Sequence, residues 1–167
     1  WGAHMFDIAQ WALDMDNSGP EKIFPPDADH PFLTYEYKNG VTMTHEKWEW
    51  GNAVLFKGTE GEVRIARGRL ETTPASVKSI VIGDTHKHVY KSENHYKDFF
   101  KAMRNRSKPI CDVEVGHRTA SVCNIGNIAY EVNRPLIWNP KKEEFKNDAA
   151  ANALLGRPML NEWGIKL

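Results

Sequence analysis

Asn39-Gly40 sits between two runs of strand-forming residues, Phe32–Lys38 and Val41–Trp48. This dipeptide readily supplies the two positive φ angles of a type I′ turn, so the runs read as one β-hairpin. A two-residue loop pairs Lys38 with Val41 and Tyr35 with Thr44. One face then carries Leu33, Tyr35, Tyr37, Thr42, Thr44 and Trp48, the other Phe32, Thr34, Val41, Met43 and His45. Neither face is purely polar, so both are expected to be at least partly covered. Ala53–Lys57 and Glu62–Ala66 read as a second hairpin around Gly58-Thr59-Glu60-Gly61. Leu70–Thr73, Val77–Ile82 and His88–Tyr90 read as further short strands. The block from 32 to 90 therefore predicts one sheet of about six or more strands.

Helices flank this block. Residues 2–14 read as a helix that is apolar almost all round, with Phe6, Ile8, Ala9, Trp11, Ala12 and Leu13, and so largely buried. Asp16-Asn17-Ser18-Gly19-Pro20 ends it, and a loop holding four of the nine prolines runs to Pro31. A helix over 93–105, capped by Ser92 or Asn94, carries the stripe Tyr96, Phe99, Phe100, Met103. Another starts at Asp112 and runs to about Val132, with Val115, Val122, Ile125, Ala129 and Val132 as its core face. Its small residues Gly116, Ala120, Ser121, Cys123 and Gly126 permit close approach of a neighbour. A short helix runs from Asp148 to Leu155 and ends at Gly156. Strands grouped in one block with helices outside it predict α+β, a sheet packed on one face by the helices 2–14, 94–105 and 113–132.

Composition excludes several functions. Lys+Arg and Asp+Glu are both 22, a net charge of zero, which argues against a nucleic-acid or anionic-membrane partner. No apolar run approaches the ~20 residues of a membrane span. Cys111 and Cys123 have neither a zinc spacing nor the number for a disulfide framework. The first residues, Trp1-Gly2-Ala3-His4-Met5-Phe6-Asp7, start in a running helix with no Met and no signal peptide. The chain is therefore expected to be a single domain, 1–167, of a longer protein.

His4, Asp7, Trp11 and Asp14 recur at i, i+3, i+7 and i+10, one face of the first helix. A histidine one turn from a carboxylate can share a proton or a substrate hydroxyl. The same spacing also suits a buried helix with a satisfied histidine. His86 and His88 share a face of a strand but have no third ligand nearby, so no metal site is expected. His45 reads as a sheet-surface residue, and His117, Asn124, Asn127 and Glu131 as a solvated helix face. No G-x-G-x-x-G follows a strand, and there is no P-loop or nucleophile elbow, so no cofactor-binding residue is expected here.

Several segments resemble the Gfo/Idh/MocA oxidoreductases, the glucose–fructose oxidoreductase and inositol dehydrogenase family. Trp1–Asp7 is similar to that family's D-x-G-x-H-x-x-D helix, without its leading Asp. Phe56–Val63 resembles its G-T-x-G hairpin. His95–Phe100, Lys108–Cys111 and Glu114–Arg118 resemble its later helices. Leu154–Pro158 with Trp163 resembles a bacterial subgroup with an extended C-terminus. The resemblance implies an open, mostly antiparallel sheet with helices on one face, the substrate-binding and oligomerisation domain of an NAD(P)-dependent oxidoreductase acting on a sugar or polyol hydroxyl. It implies a catalytic role for His4 and a substrate-binding role for Asp7, and it moves Trp11 to the core. NAD or NADP, and the family's E-K-P lysine, would belong to a preceding Rossmann domain. The isolated chain is accordingly expected to be inactive, and the open sheet face to build a dimer or tetramer. Two alternatives stay open: a domain of an NAD-dependent glycoside hydrolase using transient oxidation, and a non-catalytic binding or assembly module. The parent is expected in the cytoplasm or the periplasm.

Overall fold

The computed structural model describes residues 2–86 and 90–157. The elements begin with α1 (Gly2–Ala12), β1 (Lys22–Phe24), β2 (Leu33–Glu36), β3 (Thr42–His45), β4 (Ala53–Lys57), β5 (Glu62–Ala66) and β6 (Arg69–Thr73). A 3-10 helix (Ala75–Ser79), α2 (His95–Asn105), α3 (Val113–Val132), β7 (Leu136–Asn139), β8 (Glu144–Phe145) and α4 (Ala149–Ala153) follow. The class is α+β with antiparallel pairing throughout, as expected. The strands form two sheets rather than one: β3-β2-β1-β7-β8 and β4-β5-β6. The chain divides into two compact units, Trp1–Asn17 with Lys47–Thr119, and Ser18–Glu46 with Ala120–Leu167.

The second unit holds the five-stranded sheet. Ile23, Leu33, Tyr35, Tyr37, Leu136, Trp138 and Phe145 are buried, with Val122, Ile125, Ile128 and Ala129 of α3. Trp138 meets Phe145 edge-on at 4.9 Å between ring centroids. The expected close approach occurs at Gly126, where an added Cβ would lie 2.0 Å from the Tyr35 hydroxyl and 3.0 Å from Leu33. Tyr35 donates that hydroxyl to the Val122 carbonyl at 3.2 Å.

The β2–β3 hairpin differs from expectation by one residue. Tyr35 pairs with Met43 and Glu36 with Thr42. Tyr37 N donates to Val41 O at 2.9 Å, so the loop is Lys38-Asn39-Gly40, in which Gly40 has φ +82°. A one-residue slip exchanges the faces. Leu33, Tyr35 and Tyr37 now share a side with Val41 and Met43, and Thr34 and Glu36 share one with Thr42 and Thr44. The physical reason is segregation. The three-residue loop puts apolar residues together on one side, where Leu33 and Tyr35 meet α3, while the type I′ register mixes them with threonines. The second apolar face expected of this hairpin is consequently polar.

β1 lies in the segment read as a loop, between Pro20 and Pro25, where proline is tolerated at a strand's margins. It pairs with β2 and β7 and is the central strand. Asp148 caps α4 by accepting from Ala151 N at 3.0 Å and pairs with Arg134. Asn152 ties α4 to β8 through both backbone groups of Phe145, at 2.7 and 2.8 Å. The helix caps at Leu154, before the expected Gly156.

The first unit holds β4-β5-β6, with Lys57 opposite Glu62 as expected and α1 against β4. Trp48 stacks on Trp50 at 5.1 Å, and the Arg69 guanidinium lies 3.6 Å over the Trp50 ring. Residues 77–82 are not a strand: the 3-10 helix occupies Ala75–Ser79, and Ile80, Val81 and Ile82 are exposed. Of the strand expected over 88–90, residues 88 and 89 lie outside the described ones, and Tyr90 belongs to no element. Asn94 caps α2, accepting from Lys97 N at 3.0 Å. Its apolar stripe, Tyr96, Phe99, Phe100 and Met103, is exposed rather than core. Helical spacing shows only that these residues share a face, not that an element of the chain covers it.

Candidate functional site

α1 presents the candidate residues. It buries Phe6, Ala9 and Gln10 and leaves Trp11 half exposed, so Trp11 is not the core residue expected. The polar Gln10 takes the fully buried place because its amide finds a carbonyl, donating to Met15 O at 3.1 Å. The helix stops at Ala12, and Asp14 turns left-handed with φ +60°. The stripe of four therefore reduces to His4, Asp7 and Trp11 on one helix.

His4 is exposed in the first turn of α1, and Asp7 is half-buried one turn on. Thr119 of α3 donates its hydroxyl to Asp7 Oδ1 at 3.1 Å. Thr119 is buried. Sequence reasoning missed it, since nothing near 119 marks it and its partner is 112 residues away. Asp112 caps α3, accepting from Glu114 N at 2.9 Å and Val115 N at 3.2 Å. Its carboxyl is held below the usual range by the Lys108 ammonium and these amides. Burial pushes the Cys111 thiol up, and the charges of Asp7, Asp112 and Asp16 add to that. Cys111 is thus a neutral thiol at neutral pH rather than a nucleophile. What the pair on α1 can do is proton transfer at an exposed imidazole, with a fixed carboxylate beside it as a hydroxyl acceptor.

His86 closes a turn with Gly83, whose amide donates to its Nδ1 at 3.0 Å. His88 lies outside the described residues. His45, His117, Asn124, Asn127 and Glu131 are exposed. Among the described residues, no three His, Cys, Asp or Glu side chains are placed to hold a metal ion. The N-termini of α2, α3 and α4 are already taken by the chain's own side chains. Carboxylates of Asp112 and Asp148 already occupy those of α3 and α4, and Asn94 occupies that of α2. Gly58–Gly61 closes on itself, with Gly58 N donating to Gly61 O at 2.8 Å. A Cβ on Gly61 would fall 2.4 Å from the Thr73 carbonyl, so that glycine serves close packing rather than an anion.

No curated protein and no solved structure gives a significant match to the chain. A family model described as the C-terminal alpha/beta domain of an oxidoreductase family matches residues 1–165. That match spans nearly the whole chain, and with it the chain belongs to the Gfo/Idh/MocA oxidoreductase family, as its C-terminal domain.

Proposed function

We propose that this chain is the substrate-binding and oligomerisation domain of an NAD(P)-dependent oxidoreductase that acts on a sugar or polyol hydroxyl. The observation that supports the reading is the pairing on α1. An exposed His4 stands one turn before an Asp7 whose carboxylate is held by Thr119. His4 takes the proton from the reacting hydroxyl, and Asp7 accepts a hydrogen bond from another hydroxyl of the same substrate. NAD or NADP is held by residues outside this chain, and the chain alone is inactive. The bacterial subgroup suggested by Leu154–Pro158 belongs to the same reading. Self-association through a sheet face completes it, and light scattering that gives only a 19.1 kDa monomer at high concentration would remove that part.

The test is His4→Ala in the full-length protein. kcat should fall roughly 10²–10⁴-fold, the usual worth of a positioned general acid–base. KM should change less, because the lost interaction belongs mainly to the transition state. Melting temperature should hold, since exposed substitutions typically stay within about 0.5 kcal/mol. Near-normal turnover with a large loss of melting temperature would make His4 structural and defeat the reading. NADH that accumulates during turnover marks a dehydrogenase; glycosidic cleavage without it marks redox-assisted hydrolysis.

A further inference from the structure

Thr119 has the geometry to set the orientation of Asp7. We propose that it is a positioning residue, whose buried hydroxyl holds the Asp7 carboxylate with one oxygen turned to substrate. The inference rests on the proposed substrate-binding role of Asp7.

Three observations carry it. The first is where the hydroxyl goes. A helical threonine commonly returns its hydroxyl to the carbonyl one turn back. Thr119, 5% exposed, donates instead to Asp7 Oδ1 at 3.1 Å, on a helix 112 residues distant in sequence. The second is what this leaves. Among the described residues, no hydrogen bond reaches Asp7 Oδ2, so one oxygen is anchored and the other keeps its capacity to accept. The third is mobility. A short carboxylate on a half-exposed helix turn chooses among staggered rotamers, and a buried donor selects one before substrate arrives. Fixing a side chain in its bound conformation improves binding by removing the ordering cost. A uniform gain of that kind appears in KM and not in kcat.

The experiment uses the full-length protein with Thr119→Val, which keeps shape and removes the donor, and Thr119→Ser, which keeps the donor. Thr119→Ala carries the same expectation as Val should Val prevent folding. D-glucose, D-galactose and myo-inositol are the probes, with NAD and with NADP. Thr119→Val should raise KM roughly 3–10-fold with kcat within about twofold, and Thr119→Ser should stay near wild type. Crystal structures should show Asp7 in one rotamer in the wild type and Thr119→Ser, and in several in Thr119→Val. This comparison needs no substrate, and it decides the question where none of the probes is turned over. An unchanged KM in Thr119→Val beside a raised KM in Asp7→Ala overturns the positioning role alone. So does a single unchanged Asp7 rotamer in Thr119→Val. An Asp7→Ala variant with unchanged KM overturns the reading of Asp7 itself, and this inference with it.

Discussion

The β-carbon that Gly126 lacks would stand 2.0 Å from the Tyr35 hydroxyl, closer than any unbonded carbon and oxygen can lie. α3 and β2 meet there because position 126 has no side chain, and the freed space receives a buried phenol. Burial raises that phenol's pKa well above its ordinary value, so it stays a neutral donor to Val122 O. Gly126→Ala should therefore destabilise the second unit by about 2–3 kcal/mol, the scale of overpacking in a well-filled core. Tyr35→Phe should cost about 1 kcal/mol for the lost hydrogen bond. Combined, they should cost less than their sum by about 1 kcal/mol, because the phenylalanine removes the closest clash. Urea unfolding of the two single variants and the double measures the coupling, and strict additivity would contradict the contact.

Gly116, ten residues earlier on the same helix, makes the opposite case. Nothing lies within 4 Å of its missing Cβ. Gly116→Ala should gain up to about 1 kcal/mol, because alanine loses less conformational freedom in a helix. A thermal melt that shows destabilisation would mean the position is covered.

Acid should weaken the second unit at the Arg134–Asp148 pair. Asp148 is lowered from 3.8 to about 2, chiefly by the Arg134 guanidinium and then by the Ala151 amide. A carboxyl lowered on folding stabilises the fold above its unfolded pKa, and that contribution disappears as pH falls through its folded value. The window runs from about 4 down to about 2. Asp98 moves the same way, its carboxyl held down by the Ile110 amide and then the Tyr90 hydroxyl. Melting temperature measured across this window should fall less steeply in Asp148→Asn than in the wild type.

The isolated 167-residue chain should bind neither NAD nor NADP measurably. The pyrophosphate needs a glycine loop at an uncapped helix N-terminus, and the capped ends of α2, α3 and α4 do not offer one. Calorimetry that finds micromolar affinity would contradict the assignment of the cofactor to residues outside the chain.

What could be read in advance follows the range of the interaction. Asn94, Asp112 and Asp148 mark helix starts because a cap is a bond between residues two or three apart. The β4–β5 register was legible because a four-residue loop fixes it locally. β1 was not, since three residues among prolines have no pattern and become a strand only when β2 and β7 flank them. The β2–β3 register was misread because Asn39-Gly40 fits two turn geometries, and packing under α3 selects between them. The site shows the same division. His4 and Asp7 are one turn apart and visible in sequence, whereas the Thr119 bond joins helices that only the fold brings together.

The place of β1 bears on how the chain is made. Ile23 pairs with Tyr35 on one side and Leu136 on the other, so the centre of this sheet draws on segments far apart in the chain. During synthesis, β1–β3 emerge before the helix and the strand that complete their unit. Until then β1 presents an unpaired edge and its apolar residues lack their cover, the kind of intermediate that recruits other chains. Ribosome-bound or truncated forms ending near residue 119 would be the species that need a chaperone.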